Sequence, residues 1–407
     1  LKLDYSYATT GVHDNNGSLR EQKVTVPTVG TNAGFTATQS YTYDDLNRLV
    51  SAAESVSGAQ TWKQTFQYDR FGNRRFDAAN TTTLGSCSQV LCNPMISAAT
   101  NRISESGYSY DANGSLTANA AGERFGYDAE WHQTEFFNAN NSGSTPDGTY
   151  AYDGEGKRVK KETSSETTIF VYDAAGKVVA EYSTTLATVQ QVSYLTQDHL
   201  GSPRVTTNEN GEVTNRKDFA AFGEEVVSAQ RVSGNKYAST PDEVRQDYTG
   251  YEKDEESGLE FAQARYYNPT HGRFTSVDPL TASATIRNPQ TLNRYSYALN
   301  SPYKFTDPLG LAPEGYWQTK YSNYGQCTAQ AEFCGDDWNM WIDRDLEMFA
   351  AAGGDDVEKE LKHNKSLYRE LKGTDLETVK KTLTLARDIP ERWRYYCSAR
   401  RAEQPRS

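Results

Sequence analysis

The sequence predicts a mainly β protein, in which a curled antiparallel sheet of repeated hairpins is followed by a small α-helical C-terminal domain. Three observations support this fold class. A short aromatic phrase recurs along the first half of the chain at intervals of roughly 20 to 40 residues, as in repeat architectures. The composition combines 27 Tyr and 15 Phe with only 36% hydrophobic residues, which suits half-buried sheet surfaces and differs from a disordered chain. Beyond Leu311, apolar residues follow helical spacing instead.

The recurring phrase has the pattern aromatic-x-Tyr-Asp-x-x-Gly/Asn and predicts a β-hairpin. Its clearest copies are "YTYDDLNRLV" (41–50), "FQYDRFGNRR" (66–75), "YSYDANGSLT" (108–117), "YAYDGEGKRV" (150–159) and "FVYDAAGKVV" (170–179), with a weaker copy at 125–134. The two aromatic side chains lie two residues apart and therefore face the same side of a strand. The Asp carboxylate can accept backbone N–H groups, and the Gly or Asn suits the positive φ of a tight turn. These Asp residues are therefore predicted to be turn residues and not catalytic ones.

These phrases and the stretches that follow them resemble the Rhs/YD-repeat proteins, a family that includes bacterial Rhs toxins and the C subunits of insecticidal Tc toxins. The ordered core phrases carry most of the resemblance. They are "DHLGSPRVTTNENGEV" (198–213), "FAAFGEE" (219–225), "YTGYEKDEESGLEFAQARYYNPTHGRFTSVDP" (248–279) and "NRYSYALNSPYKFTDPLGL" (293–311). The resemblance covers residues 1–311.

The resemblance implies a long β-sheet wound into a hollow shell, a core that caps this shell, and a variable C-terminal segment held inside. The chain has too few repeats for a complete shell and begins at Leu1 without Met, so we expect the last strips and the cap of a longer protein. The implied domains are YD-repeat hairpins at 1–190, the Rhs repeat-associated core at 191–311 and a variable helical domain at 312–407.

The resemblance also implies that the core cuts its own chain, as an aspartic-type autoprotease. The bond lies after the Leu of the DPxGL phrase, which places it between Leu311 and Ala312. The catalytic residues carried over from the family are Asp278 in "FTSVDP", Asp307 in "DPLGL" and Arg265 in "ARYYNP". The cut would release the domain at 312–407.

The chemistry of these residue types fits such a reaction. Two carboxylates held close together can share a proton, so that one acts as a general base and the other polarises the peptide carbonyl. A guanidinium can orient a carboxylate or stabilise the oxyanion. A turn through Pro308 and Gly310 could return the bond towards Asp278. The alternative is that Asp-Pro-x-Gly forms an ordinary turn and that Arg265 pairs with a surface carboxylate.

Two features depart from the family pattern. Thr281 stands in "DPLTA" where the family usually has Gly, and the connector "TASATIRNPQT" (281–291) is longer and poorer in Gly. A displaced connector could move Asp278 and abolish cutting. Asn268 replaces a frequent Asp in "RYYNP", and we expect this change to be tolerated.

Other polar residues give no second site. We expect His199 to make a structural hydrogen bond, His271 to lie in a loop, and His363 to lie on a solvated helix surface. The cysteines lack zinc-site spacing. Two pairs could form short-loop disulfides or stay as free thiols: Cys87 with Cys92, and Cys327 with Cys334. Cys397 has no other cysteine near it in the sequence. We therefore expect no cofactor and no metal. A net charge of −12 argues against nucleic acid as a partner of the shell, and no apolar stretch is long enough to span a membrane.

The segment 312–407 is predicted to form three or four helices. Helical apolar spacing begins near Trp338, Val357 and Thr374, where Thr374 and Glu377 form a capping box, and Pro390 could begin a fourth helix. In the family this position holds the variable effector, which is often a toxin. The segment has no nucleophile–base pair, metal cluster or nucleotide loop that identifies an activity.

The leading hypothesis is the C-terminal piece of a secreted or cell-envelope Rhs-like polymorphic toxin. Its expected partners are the remaining shell or secretion machinery, such as type VI secretion, and an immunity protein for the tail. The alternative is a cell-surface YD-repeat scaffold that binds carbohydrate or protein and is never cut. A third hypothesis makes the tail an enzyme with an unrecognised motif.

Overall fold

The computed structural model describes residues 1–8, 15–82, 88–173, 178–185, 192–237, 244–280, 283–284, 288–311 and 313. The chain divides into two compact units, Leu1–Trp317 and Gln318–Ser407, and every described residue belongs to the first. The predicted helical domain therefore lies outside the described residues, apart from Pro313. The domain boundaries predicted after residues 190 and 311 stay predictions.

The described residues form four antiparallel sheets. The first sheet contains β1 (Lys2–Ser6), β2 (Glu21–Val26), β3 (Phe35–Tyr43), β4 (Leu49–Val56), β5 (Ala59–Tyr68) and β6 (Arg74–Phe76). The second contains β7 (Ser109–Tyr110), β8 (Leu116–Ala118), β9 (Arg124–Tyr127), β10 (Gln133–Phe137), β11 (Gly148–Tyr152), β12 (Arg158–Thr163), β13 (Thr167–Tyr172) and β14 (Val178–Ser183). The third contains β15 (Tyr194–Gln197), β16 (Pro203–Thr207) and β17 (Val213–Arg216). The fourth contains β18 (Glu252–Asp254), β19 (Leu259–Ala262), β20 (Arg265–Asn268) and β21 (Arg273–Phe274).

Helical structure is sparse among these residues. One short α-helix, α1, spans Gln89–Cys92, and short 3-10 turns lie at Ser233–Asn235, Tyr248–Gly250, Pro289–Leu292 and Ala298–Asn300. None of the helices in the described part of the chain is long and apolar enough to cross a membrane.

The strand order in each sheet follows the order along the chain. Each strand therefore pairs with the strands next to it in sequence, as expected when hairpins are added side by side. None of the four sheets closes on itself within the described residues. The mainly β, antiparallel fold class predicted from the sequence is confirmed for this part of the chain.

The repeated Asp residues form the turns predicted for them. In the first clear copy, Asp44 Oδ1 accepts the N–H groups of Leu46 at 3.0 Å and Arg48 at 2.9 Å. Asp153 accepts the second and fourth following N–H groups in the same way, at 2.9 Å each. Gly156 lies three residues after Asp153 and has a φ of +75°, which Gly adopts without steric cost. Each of these carboxylates thus closes a loop between two strands.

The two aromatic positions of the phrase have different roles. The first is buried in the core, as at Tyr41, Phe66 and Tyr150. The second is a half-buried Tyr, and in four copies its hydroxyl donates to a backbone carbonyl on, or just before, the preceding strand. Tyr152 on β11 donates to the Gln133 carbonyl of β10 at 2.7 Å. Equivalent bonds join Tyr43 to Leu19, Tyr68 to Leu49 and Tyr172 to Arg158. In these four copies the repeated Tyr therefore ties its hairpin to the preceding part of the sheet.

Buried ion pairs join the repeat strands to the core segment. Arg158 of β12 and Lys161 of the same strand donate to Asp254 of β18, at 2.6 Å and 2.7 Å. Burial alone would raise the pKa of Asp254, but the two cations outweigh it and lower that pKa. Arg231 likewise contacts Glu54 of β4 at 2.6 Å. Because an unpaired buried charge is costly, these pairs fix the core against the repeat strands.

The Tyr152 hydroxyl provides a test of the ties between hairpins. Tyr152→Phe removes the bond to the Gln133 carbonyl and keeps the ring, so the free energy of unfolding should fall by about 1 kcal/mol. Urea denaturation of the chain measures this loss. The control is Tyr182→Phe, because Tyr182 is 66% exposed on β14 and should change stability very little. Equal effects of the two changes would contradict the proposed role of the repeated hydroxyl.

Candidate active site around Arg265

The DPLGL phrase forms a turn of the same kind as the repeats. The Gly310 N–H donates to the Asp307 carbonyl at 3.0 Å, and the Leu311 N–H donates to Asp307 Oδ1 at 2.8 Å. Gly310 has a φ of +63°. Asp307 differs from the repeat Asp residues in one respect, because it is only 1% exposed. The turn is thus an ordinary one placed in an unusual, buried position.

The turn is buried because it packs against the end of β19 and the start of β20. A Cβ on Gly310 would lie 2.5 Å from the carbonyl oxygen of Ala262, so no larger residue fits without movement. The Ala264 N–H donates to the Leu309 carbonyl at 3.2 Å, and the Tyr251 hydroxyl donates to the Asp307 carbonyl. These contacts hold the turn beside Arg265. Pro308 and Leu309 are exposed, and Leu311 is half-buried.

Arg265 is the centre of the site. Its side chain is buried, with its guanidinium 3.6 Å from the centre of the Phe274 ring. Nε donates to the Gly310 carbonyl, Nη1 to the Arg294 carbonyl at 2.9 Å, and Nη2 to Asp307 Oδ2 at 3.1 Å. Nη2 also lies 3.8 Å from Asp278 Oδ2. The structure therefore brings together the three residues that the sequence singled out, Arg265, Asp278 and Asp307.

Asp278 is held differently from Asp307. Its backbone N–H donates to the Arg294 carbonyl at 3.1 Å, which fixes the main chain. Its Oδ1 accepts the Leu280 N–H at 2.8 Å, and its Oδ2 accepts the Ser283 hydroxyl at 2.6 Å. The 3.8 Å separation from Arg265 is too long for a direct hydrogen bond. Asp278 is 7% exposed, so its carboxylate retains some access to solvent.

The charges at the site alternate. The Arg265 guanidinium lies between the two carboxylates and offsets their mutual repulsion. The site therefore differs from a carboxylate pair in direct contact, in which one proton is shared. Both oxygens of Asp307 accept hydrogen bonds, and the neighbouring Gly310–Leu311 peptide is held at its carbonyl by Arg265 and at its N–H by Asp307.

Sequence reasoning missed Arg294 and Ser283. Ser283 donates to Asp278, while Arg294 contacts both Asp278 and Arg265. Arg294 also lines a surface hollow of about 360 Å³. The other lining residues are Thr100, Asn101, Arg102, Val277, Leu292 and Tyr295. No sequence signal marked Arg294, because it lies in a Tyr-rich core phrase and resembles a surface residue.

The sequence also gave predictions for Asn268, His271 and His199. Asn268 Oδ1 accepts the His271 N–H at 3.0 Å, which is a hydrogen bond within the turn between β20 and β21. The His271 ring bonds to the Leu91 carbonyl at 2.7 Å, and burial lowers the pKa of His271 to about 4. His199 packs edge-on against the Tyr5 ring, and burial lowers its pKa. Both contacts are structural.

Some predicted positions lie outside the described residues. They are Thr281, Ala312, His363, Cys87, Cys327, Cys334 and Cys397. Cys92 is disulfide-bonded. Across the described ranges, no group of three or more His, Cys, Asp or Glu side chains could hold a metal ion.

The antiparallel repeat hairpins and the core phrases indicate a YD-repeat protein, and a comparison with protein families agrees. The Teneurin YD-shell model matches residues 6–172 and 161–303, which is most of the chain. The chain belongs to the YD-shell family and is an Rhs/YD-repeat protein. The family resemblance predicted from the sequence is confirmed.

Individual relatives cover the chain only in part. The chain is 29% identical over 306 residues to the tRNA3(Ser)-specific nuclease WapA of Bacillus spizizenii, which covers 70% of this chain and 12% of that protein. It is 34% identical over 121 residues to Toxin protein Tse5 of Pseudomonas aeruginosa, covering 30% of this chain and 8% of that one. The crystal structure of TcdB2-TccC3-Cdc42 matches 76% of this chain and 15% of that chain, with 17% identity and a TM-score of 0.45. The chain thus spans only a small part of the length of these relatives.

Gly310 tests the close approach of the turn to Ala262. Gly310→Ala adds both the penalty of a positive φ and a clash with a backbone oxygen. The control is Gly30→Ala, because Gly30 has a φ of +60° with nothing within 4 Å of the added Cβ. The control should lose about 1 kcal/mol of the free energy of unfolding, and Gly310→Ala about 1–3 kcal/mol more. Urea denaturation compares them, and equal losses would mean that the turn is not held tightly against Ala262.

Proposed function

We propose that this chain is part of an Rhs-type polymorphic toxin whose core cuts its own chain once, after Leu311. Residues 1–311 supply shell strips and the cap, and the cut frees the domain at 312–407 from the core. The observation that carries the proposal is the position of Arg265, which contacts Asp307 and Gly310 of the turn and lies 3.8 Å from Asp278. The names of relatives, which include a tRNA nuclease and a toxin protein, support the toxin class.

Asp278 and Asp307 have different roles in this proposal. Both oxygens of Asp307 already accept hydrogen bonds, from Leu311 N–H and Arg265, so Asp307 holds the turn in place. Asp278 accepts hydrogen bonds from the Leu280 N–H and the Ser283 hydroxyl, but it has no direct bond to Arg265. A carboxylate in this setting can take a proton from water. We therefore assign Asp278 as the general base and Asp307 as a positioning residue.

The reaction is a hydrolysis. Water gives one proton to the Asp278 carboxylate, and its oxygen forms a bond to the carbonyl carbon of Leu311. Arg265 stabilises the negative charge on the former carbonyl oxygen. The bond to the Ala312 nitrogen then breaks, and that nitrogen takes the proton from Asp278. The second proton of the water also ends on the Ala312 nitrogen. The products are therefore a carboxylate at Leu311 and an ammonium group at Ala312, with Asp278 returned to its starting form.

The setting of this reaction follows from the toxin class. The protein would be secreted or held at the cell envelope, together with the rest of its shell or with secretion machinery such as a type VI system. The tail would need an immunity protein in the producing cell. These partners rest on the family and on the names of relatives, and the contacts described above do not involve them.

The second candidate is a YD-repeat scaffold at the cell surface that binds carbohydrate or protein and is never cut. One observation favours it. The DPLGL turn shares two hydrogen bonds with repeat turns such as the one at Asp153, where no cut is expected: Gly N–H to the Asp carbonyl, and the fourth following N–H to Asp Oδ1. In this case Arg265 and Asp307 would form a buried ion pair that only stabilises the cap. Cleavage distinguishes the two functions.

The test is the intact mass of the expressed chain beside its Asp278→Asn and Asp307→Asn variants. The wild type should give fragments that end at Leu311 and begin at Ala312. Loss of the general base should slow the cut by about 10²–10⁴-fold, and Asp307→Asn should slow it through the loosened turn. The matched control is Asp153→Asn, which changes an equivalent turn in the repeats and should cut normally.

An uncut wild type would favour the scaffold. Cutting at the normal rate by Asp278→Asn would exclude Asp278 as the base. If Asp153→Asn were as slow as Asp278→Asn, general destabilisation would explain both results and the assignment of the base would fail.

A further inference from the structure

Arg294 contacts Asp278 through both its backbone and its side chain. Its carbonyl accepts the Asp278 N–H at 3.1 Å and Arg265 Nη1 at 2.9 Å. Its guanidinium donates to the Asp278 carbonyl, and Nη2 lies 4.0 Å from Asp278 Oδ1. One residue thus connects the main chain of the proposed base to the central guanidinium.

The Arg294 side chain also responds to the charges of the site. Burial lowers the pKa of Arg294, the Asp278 carboxylate raises it, and the Arg265 cation lowers it. Its Nε is buried and makes no hydrogen bond to another protein atom. The remaining face of the side chain forms part of the wall of the hollow.

We propose that Arg294 is the positioning residue for Asp278: it holds the main chain of Asp278 and places a second guanidinium beside its carboxylate. This inference rests on the proposed self-cleavage. Asp278 lies between two guanidinium groups, Arg265 at 3.8 Å from one oxygen and Arg294 at 4.0 Å from the other. Neither is close enough for a direct hydrogen bond, and both place positive charge beside the carboxylate.

The other charged groups near Asp278 do not replace Arg294. Asp307 lies beyond Arg265, which pairs with it directly at 3.1 Å. Arg102 lines the same hollow, but its side chain is directed towards the rings of Tyr110 and Tyr295. Ser283 is an uncharged donor to Asp278. The charge that Asp278 experiences from the side of the hollow therefore comes chiefly from Arg294.

The test uses Arg294→Met and Arg294→Lys in the full chain. We measure the rate of the cut against pH by intact mass. We also measure the titration midpoint of the Asp278 carboxyl by ¹³C resonance in Asp-labelled protein, once cleavage has reached its end point. The resonance is assigned by its loss in Asp278→Asn. The control is Arg102→Met, which removes the same type of side chain from the same hollow without touching Asp278.

Arg294→Met should raise the Asp278 midpoint by about one pH unit, because a nearby positive charge is lost. The cut should slow by about tenfold near neutral pH, and its acidic limb should move to higher pH. Arg294→Lys should restore the midpoint and part of the rate, and Arg102→Met should leave both near the wild-type values.

The two readouts separate the possible failures. An unchanged Asp278 midpoint in Arg294→Met overturns the inference, whether or not the chain cuts. A raised midpoint in a chain whose wild type never cuts supports the charge role of Arg294 and overturns the proposed self-cleavage. An equal loss of rate in Arg102→Met would also overturn the inference, since the effect would then belong to the hollow as a whole.

Discussion

The structure around the DPLGL turn depends on one buried guanidinium. Arg265 is 4% exposed, donates to Gly310 and Asp307 of this turn and to the Arg294 carbonyl, and lies 3.8 Å from Asp278. These contacts join the turn and the segment at Arg294 to β20. Asp307 is almost completely buried, so removal of Arg265 would leave its charge without its closest cation. Arg265 thus contributes to the position of the turn and to the burial of Asp307, and it lies beside Asp278.

Buried pairs of a guanidinium and a carboxylate also occur where the core phrases pack against the repeat strands. Arg158 pairs with Asp254, and Arg231 with both Glu54 and Asp218. The planar guanidinium can donate in several directions at once, which suits junctions where several segments converge. Around Arg265, such a pair is combined with a turn whose hydrogen bonds also occur in the repeats. The difference between a structural turn and the candidate site is therefore the buried Arg265 and the second carboxylate, Asp278.

The hairpins could be predicted from the sequence because their signals are local. The aromatic spacing determines the face of a strand, and Asp with Gly determines the turn, as at Asp153 and Gly156. The hydroxyl bond from Tyr152 to Gln133 was not predictable in the same way. It depends on the register between two hairpins, which the turn sequence alone does not fix.

Local sequence patterns do not predict the long-range contacts. The Arg231–Glu54 pair joins residues that are 177 positions apart. Arg265, Asp278 and Asp307 were selected by the family resemblance, and the chemistry of their side chains only made that selection plausible. Arg294 gave no signal, since its role depends on a backbone carbonyl and on packing beside Asp278.

The most direct test of this account is the intact mass of an Arg265→Lys chain. Lysine keeps the positive charge but cannot reach Gly310, Arg294 and Asp307 together from one planar group. The account predicts that the variant folds and that its cut is slower than that of the wild type by at least about 100-fold. A variant that cuts after Leu311 at the wild-type rate would show that charge alone is sufficient, and it would contradict the central role of the Arg265 guanidinium.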